Sequence, residues 1–362
     1  MTRVLVLWAS PTSANLGVRA LAEGTAALVR RAFPDAEVET QSYGQGTAPA
    51  NIGVGRSLAR EFALDSRGLR SWIKEFDLVV DTRAGDSFAD IYGLPRLRQI
   101  CQMAEFVRAC RVPLVLGPQT IGPFTTRAGR RWGARSLRRA DLVMARDSAS
   151  AVAAAELGRR ADVVTTDVVF ALDEPTAQGS WDVLLNVSGL LWTSEAHGSS
   201  AGYRSVIREA ITGLGERGRQ VTLVSHVLDS TFPDNDVPTG RALQEEFGLE
   251  HIVPRSLAEM RAVAKGADLV IGSRMHACLN ALSVGTPAIP LAYSRKFAPL
   301  LADLGWHHVI DLAASDAAGA ELLAILDGGA DLEQDASRAR TIAASLLGEA
   351  ERALRDAVGP SQ

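Results

Sequence analysis

The sequence predicts an α/β protein made of two Rossmann-like domains facing a cleft, and three observations carry that reading. Short runs of Val, Ile and Leu alternate with amphipathic stretches through most of the chain. These runs mostly lack polar alternation, as strands covered on both faces do. The alternation occurs in two series, and 362 residues exceed what one core usually serves. Strands alternating with helices build a parallel sheet through right-handed crossovers.

The first series places strands at 3–8, 37–41, 78–82, 113–117, 142–146 and 162–165, with helices at 17–31, 95–109, 126–138 and 149–157. The second places strands at 182–187, 220–226, 251–253, 269–272, 288–291 and 309–311. Its helices are expected at 203–216, 257–265 and 317–326, with a short one following 276. The polar Pro/Gly stretch at 172–180 reads as a linker. The expected domains are therefore 1–175 and 176–330, and 331–362 reads as a C-terminal helix packing back on the N-terminal domain. Its stretch 335–358 carries Ala and Leu on one face.

Composition removes several function classes. The formal net charge of -4 gives no general pull toward nucleic acid, so any basic site must be local. The three cysteines, Cys101, Cys110 and Cys278, show no CxxC and no cluster with histidine, so neither disulfides nor a metal centre is expected. Reduced cysteines and an opening apolar run too short for a signal peptide point to the cytoplasm, a place compatible with contact at the inner face of the membrane. The turn after the first strand is not GxGxxG, and no Walker A pattern occurs, which argues against dinucleotide and P-loop chemistry.

Ligands bind such sheets at the carboxyl ends of the strands. Five loops there are informative. After the first strand, Asn15 and Gly17 open a helix whose backbone N–H groups suit an anion or a simple cap. The loop Arg83 to Gly93 combines Gly85 with Asp86 and Asp90, carboxylates able to activate a hydroxyl or hold a sugar. Gly117 to Phe124 reads as a turn stiffened by two Gly-Pro steps, with Gln119 and Thr120 as hydrogen-bonding groups. Arg146 ends a strand and is read as facing a ligand rather than pairing with Asp147 or Asp167. The acidic stretch Asp234 to Asp236 reads as a solvated turn, and His226 as a structural histidine.

The fifth loop is the strongest signal. Ser273, Arg274 and His276 follow one strand, and Arg295 and Lys296 follow the next. Arg274 offers a planar fork for phosphate or carboxylate. His276 offers a proton near neutral pH. Cys278 is read as packing rather than as a nucleophile.

Ser273 to Pro287 and Tyr293 to Lys296 resemble the polysaccharide pyruvyl transferase family, supported by Gly85 to Asp90, Gln119 with Gly122-Pro123, and Arg146 to Ser148. The resemblance spans about residues 3–312. It implies a glycosyltransferase-B-like architecture, with the N-terminal domain on the acceptor side and the C-terminal domain on the donor side. It also implies transfer of pyruvate from phosphoenolpyruvate to sugar hydroxyls, forming a ketal on a cell-surface glycan. Arg274 and His276 then correspond to the family's Arg-x-His site, and Arg146 to a donor-binding arginine. Val18 departs from the pattern, since many members carry an acid there.

The chemistry of the residues fits this independently. A small donor carrying both phosphate and carboxylate needs several cations close together. His276 is the expected acid, Asp86 or Asp90 the base, and Arg274, Arg295 and Lys296 the anion holders, with Asn15, Gln119 and Ser273 as further substrate-binding groups. No cofactor or metal is called for; phosphoenolpyruvate and a sugar or glycan are the expected partners. A metal-independent nucleotide-sugar glycosyltransferase of the same architecture is the alternative, and a non-catalytic anion-binding protein a third reading.

Overall fold

The computed structural model describes residues 2–230 and 234–358. The chain divides into two compact units. The first comprises Met1–Thr12, Val18–Leu172 and Ala343–Gln362, and the second Ser13–Gly17 and Asp173–Ile342.

The first unit holds a six-stranded sheet of β1 (Arg3–Leu7), β2 (Glu37–Gln41), β3 (Leu78–Asp81), β4 (Leu114–Gln119), β5 (Leu142–Ala145) and β6 (Val163–Val164). Their order is β2-β1-β3-β4-β5-β6, with every pairing parallel. Strands β3, β4 and β5 are buried at every position, the outcome their unbroken apolar runs predict. The expected turn at Gly117-Pro118 is instead strand: β4 runs on to Gln119, and its register with β5 shifts between Leu116 and Gln119. Proline in a central strand is tolerated where the ladder is already irregular.

Two helices in the long β2–β3 connection, Arg56–Leu64 and Leu69–Ile73, were not anticipated from apolar periodicity. They bury Leu58, Leu69, Trp72 and Ile73 in the core, and carboxylates fix the turn between them. Glu61 accepts from Ser66 Oγ (2.7 Å) and the Arg67 backbone (3.1 Å), and Asp65 accepts from the Arg70 backbone (2.8 Å). The final helix spans Leu332–Val358. From Ala343 on it belongs to the first unit, burying Ala343, Leu347, Ala350 and Leu354 at helical spacing.

The second unit holds β7 (Trp181–Asn186), β8 (Val221–Val224), β9 (Glu250–Ile252), β10 (Ala267–Gly272), β11 (Ala288–Ala292) and β12 (Ile310–Asp311). The order β12-β11-β10-β7-β8-β9 is the Rossmann order, and all pairings are parallel. The order reverses between β7 and β10, so a crevice opens where the chain leaves those two strands. Stretch 172–180 is part of this unit from Asp173 on. The Asp173 carbonyl accepts from Arg261 (2.5 Å), and the Gln178 backbone donates to the Ala262 carbonyl (2.9 Å). Ser13–Gly17 also belongs here. Asn15 forms an antiparallel bridge with Val227, the Leu16 backbone donates to the His226 carbonyl (3.1 Å), and Leu228 donates to the Ala14 carbonyl (2.8 Å). Among the described residues no helix is long and apolar enough to cross a membrane.

Candidate functional site

The carboxyl ends of β7, β8 and β10 are organised around one buried carboxylate, Asp236, which is 1% exposed. Its oxygens accept from the backbones of Gly189 (3.0 Å), His226 (3.1 Å) and Val227 (2.9 Å). They also accept from the Arg274 guanidinium, through Nε (3.1 Å) and Nη2 (2.7 Å). Asn186, the last residue of β7, completes the arrangement. Its Oδ1 accepts from the Arg274 backbone (3.0 Å), and its Nδ2 donates to the Val224 carbonyl (3.0 Å).

This geometry corrects two expectations. The stretch ending at Asp236 is no solvated turn, because three strand ends converge on that carboxylate. Arg274 is not an unattached anion holder. It is buried and spends its fork on Asp236 and on the Asp234 carbonyl. Burial opposes its charge, but Asp236 outweighs that and raises its pKa above the ordinary arginine value. Arg274 therefore positions the loop that carries His276. Ser273 is also fully buried. The Tyr203 phenol donates to its Oγ (2.6 Å) and accepts from the Ser188 backbone (2.9 Å). Ser273 thus holds the β10 turn against the β7 turn instead of reaching a ligand.

His276 lies in the first turn of the helix Met275–Ser283 and is partly exposed. Its imidazole packs beside the chain at Gly17, where a Cβ would stand 2.9 Å from Nδ1. A side chain at position 17 would push the ring aside, which is why glycine fits here. Asn15 caps its own helix, accepting from the Gly17 backbone (2.9 Å). The second histidine of this edge, His226, is buried, with Nε2 within 3.0 Å of Asn280 Nδ2. Burial, then the charges of His276 and Arg274, hold its pKa well below 6.5. Burial thus favours the neutral form of His226 near pH 7. Arg295 and Lys296 follow β11, the strand next to β10. Arg295 is exposed and Lys296 partly so.

The lowered pKa of His226 makes stability depend on pH. Below 6.5 the unfolded chain protonates this histidine while the folded chain does not, so stability falls as pH falls. His251, half-buried with its pKa also lowered by burial, adds in the same direction. Each pH unit below the unfolded value costs about 1.4 kcal/mol for one such group. Urea unfolding at pH 7.5 and 5.5 is expected to show this loss, and His226→Gln to flatten it. Equal pH dependence in the variant would refute the assignment to His226.

In the first unit the expected site residues are mostly occupied. Asp90, read as a candidate base, has its carboxylate taken up by the chain itself. It accepts from the Thr125 backbone (2.9 Å), the Thr126 backbone (2.7 Å) and both threonine hydroxyls, fixing the start of the helix Arg127–Arg139. Burial pushes its pKa up, but those hydrogen bonds prevail and hold it below the ordinary value. Arg146, expected to face a ligand, is buried and makes the pairing that was the other reading, donating to Asp167 (3.1 Å) and also to Thr120 Oγ1 (2.6 Å). Gln119 is fully buried, and its amide has no partner among the described residues. Asp86 is partly exposed and accepts from the Tyr92 phenol (2.8 Å). Sequence reasoning missed Asp236, Asn186 and Tyr203. A polar Asn closing the apolar strand of β7 was a readable signal for one of them; Tyr203 lies within a helix read only for its apolar face.

The sequence model of the polysaccharide pyruvyl transferase family matches residues 15–295. The amylovoran biosynthesis protein AmsJ of Erwinia amylovora is 22% identical over 298 residues, covering 74% of this chain and 69% of that protein. Among solved structures, Anabaena HepE in complex with UDP and glucose has a TM-score of 0.56 at 16% identity, covering 98% of this chain and 100% of that one. The UDP-GlcNAc 2-epimerase of Neisseria meningitidis bound to UDP-GlcNAc has a TM-score of 0.58 at 11% identity, covering 98% and 99%. Likeness at these identities speaks for the fold alone, two Rossmann-like units of the glycosyltransferase-B-like class. The family match runs from the capped helix start at Asn15, through the β7–β10 crevice, to Arg295 beyond β11. On that match this chain belongs to the polysaccharide pyruvyl transferase family.

Proposed function

We propose that the protein transfers pyruvate from phosphoenolpyruvate to a pair of hydroxyls on a sugar of a polysaccharide or its precursor, leaving a cyclic ketal. Family membership supports the transfer. The observation that carries the chemistry is the split between two imidazoles at one sheet edge: His226 is buried and neutral, while His276 stands on a helix start with access to solvent.

In this reading His276 gives a proton to C3 of the enol, and the resulting methyl leaves C2 electrophilic. A sugar hydroxyl bonds to C2, and its proton returns to His276. The C2–O bond to phosphate then breaks, and a second hydroxyl bonds to C2 to close the ring, its proton leaving with the phosphate. The charge of the departing phosphate is met by the cations after β11, Arg295 and Lys296, and by the N-terminus of the helix Met275–Ser283. Arg274 acts through its grip on Asp236, which sets the course of the loop.

Incubation with phosphoenolpyruvate and a panel of glycosides is expected to release phosphate in step with a pyruvyl mass gain on one acceptor. Melting-temperature shifts with UDP-sugars but none with phosphoenolpyruvate, and no mass gain on any acceptor, would replace this reading with sugar transfer from a nucleotide.

A further inference from the structure

The first unit contains a cavity of about 490 Å³ between the helices Leu94–Ala109 and Arg127–Arg139. Its wall includes Arg98, Arg127, Arg131 and Arg135, against one carboxylate, Glu105. Glu105 is already satisfied, accepting from Arg135 through Nε (2.7 Å) and Nη2 (2.9 Å) and lying 3.5 Å from Arg139. Arg98, Arg127 and Arg131 have no ion pair or hydrogen bond among the described residues. Three unspent guanidinium groups facing one cavity repel each other, and in a chain of net charge -4 acids were available to neutralise them. The helix Arg127–Arg139 carries six arginines and no acid. Its N-terminus adds little attraction of its own, because Asp90 already occupies it.

Trp132, partly buried on the core, supplies one aromatic wall. Ser136 lies at the floor and accepts from Arg83 Nη2 (2.6 Å), a fully buried arginine whose Nε is 3.4 Å from Asp81. Arginine forks match the oxygens of a phosphate, and an indole face matches a sugar ring. The volume is that of a small-molecule site rather than a flat docking face. We propose that this cavity binds a phosphorylated carbohydrate, its phosphate held by Arg98, Arg127 and Arg131 and its sugar laid against Trp132. The site is separate from the β7–β10 crevice and does not depend on the transfer chemistry proposed there.

Titration calorimetry of the full chain with glucose 1-phosphate tests this, with glucose and inorganic phosphate as controls. Saturable binding of glucose 1-phosphate is expected, tighter than either control. Arg98→Gln/Arg131→Gln should weaken it about tenfold or more, and raised salt should weaken it further. These side chains are exposed, so the variant should melt as the parent does; Arg127→Gln and Arg131→Gln tested singly answer the same question if it does not. His276→Ala should bind glucose 1-phosphate unchanged whether or not the transferase reading survives. Equal affinity in parent and double variant, or no binding at all, would overturn the proposal. So would binding confined to phosphatidylglycerol vesicles, which would mark a membrane contact instead.

Discussion

Replacing Asp236 by Asn is expected to destabilise the second unit by about 3–5 kcal/mol, the usual cost of removing one partner from a buried ion pair. The change is nearly isosteric, so the loss does not come from a cavity. It comes from leaving the Arg274 guanidinium charged in a site only 8% exposed. The amide must also serve three backbone donors, from Gly189, His226 and Val227, with a single oxygen acceptor. Urea unfolding followed by circular dichroism measures the change. Arg274→Ala and the double variant complete a thermodynamic cycle. Because each single change strands the other partner, the double variant should lose less than the sum of the two. Additive losses would mean that Asp236 and Arg274 do not act as a pair, and a loss below about 1 kcal/mol would remove Asp236 from the centre of the fold.

The second large effect concerns turnover. His276→Ala should lower kcat by about 10²–10⁴-fold, the range for losing a positioned general acid. Stability should change little, because the ring is partly exposed and the helix keeps its other contacts. One further reading separates an acid from a merely structural histidine: added imidazole should restore part of the activity of the Ala variant. Unchanged kcat in His276→Ala would dismiss the acid role.

The strands were legible because burial on both faces writes itself into composition. The runs at 78–82 and 269–272 needed no partner information to be recognised, and they became β3 and β10. The helix Val237–Phe247 was not legible, as it opens on Val-Pro-Thr-Gly and presents only a short apolar face. The charged residues at the strand ends were legible, but not the partners they take. A sequence shows that Arg146, Arg274, Asp90 and Asp236 carry charge, but not what each charge is spent on. Arg274 finds Asp236 across 38 positions, Arg146 finds Asp167 across 21, and Asp90 finds Thr125 across 35. Pairings of that span are decided by which strand ends the topology brings together. His276 shows the same limit: its helix start is set locally, but the Gly17 beside its ring lies 259 positions away and is brought there by the fold.

The short segment Ser13–Gly17 carries a consequence for how the molecule is made. It is counted with the second unit although the residues on both sides of it belong to the first, which in turn regains the chain only at Ala343. Each unit is therefore stitched from non-adjacent lengths of polypeptide, and no single cleavage releases either one intact. A fragment starting at Asp173 would leave Leu228 without the Ala14 carbonyl and His276 without the glycine beside its ring. During synthesis the first unit must wait, its closing helix still unmade, until the residues from Ala343 on have followed the whole of the second unit out of the ribosome.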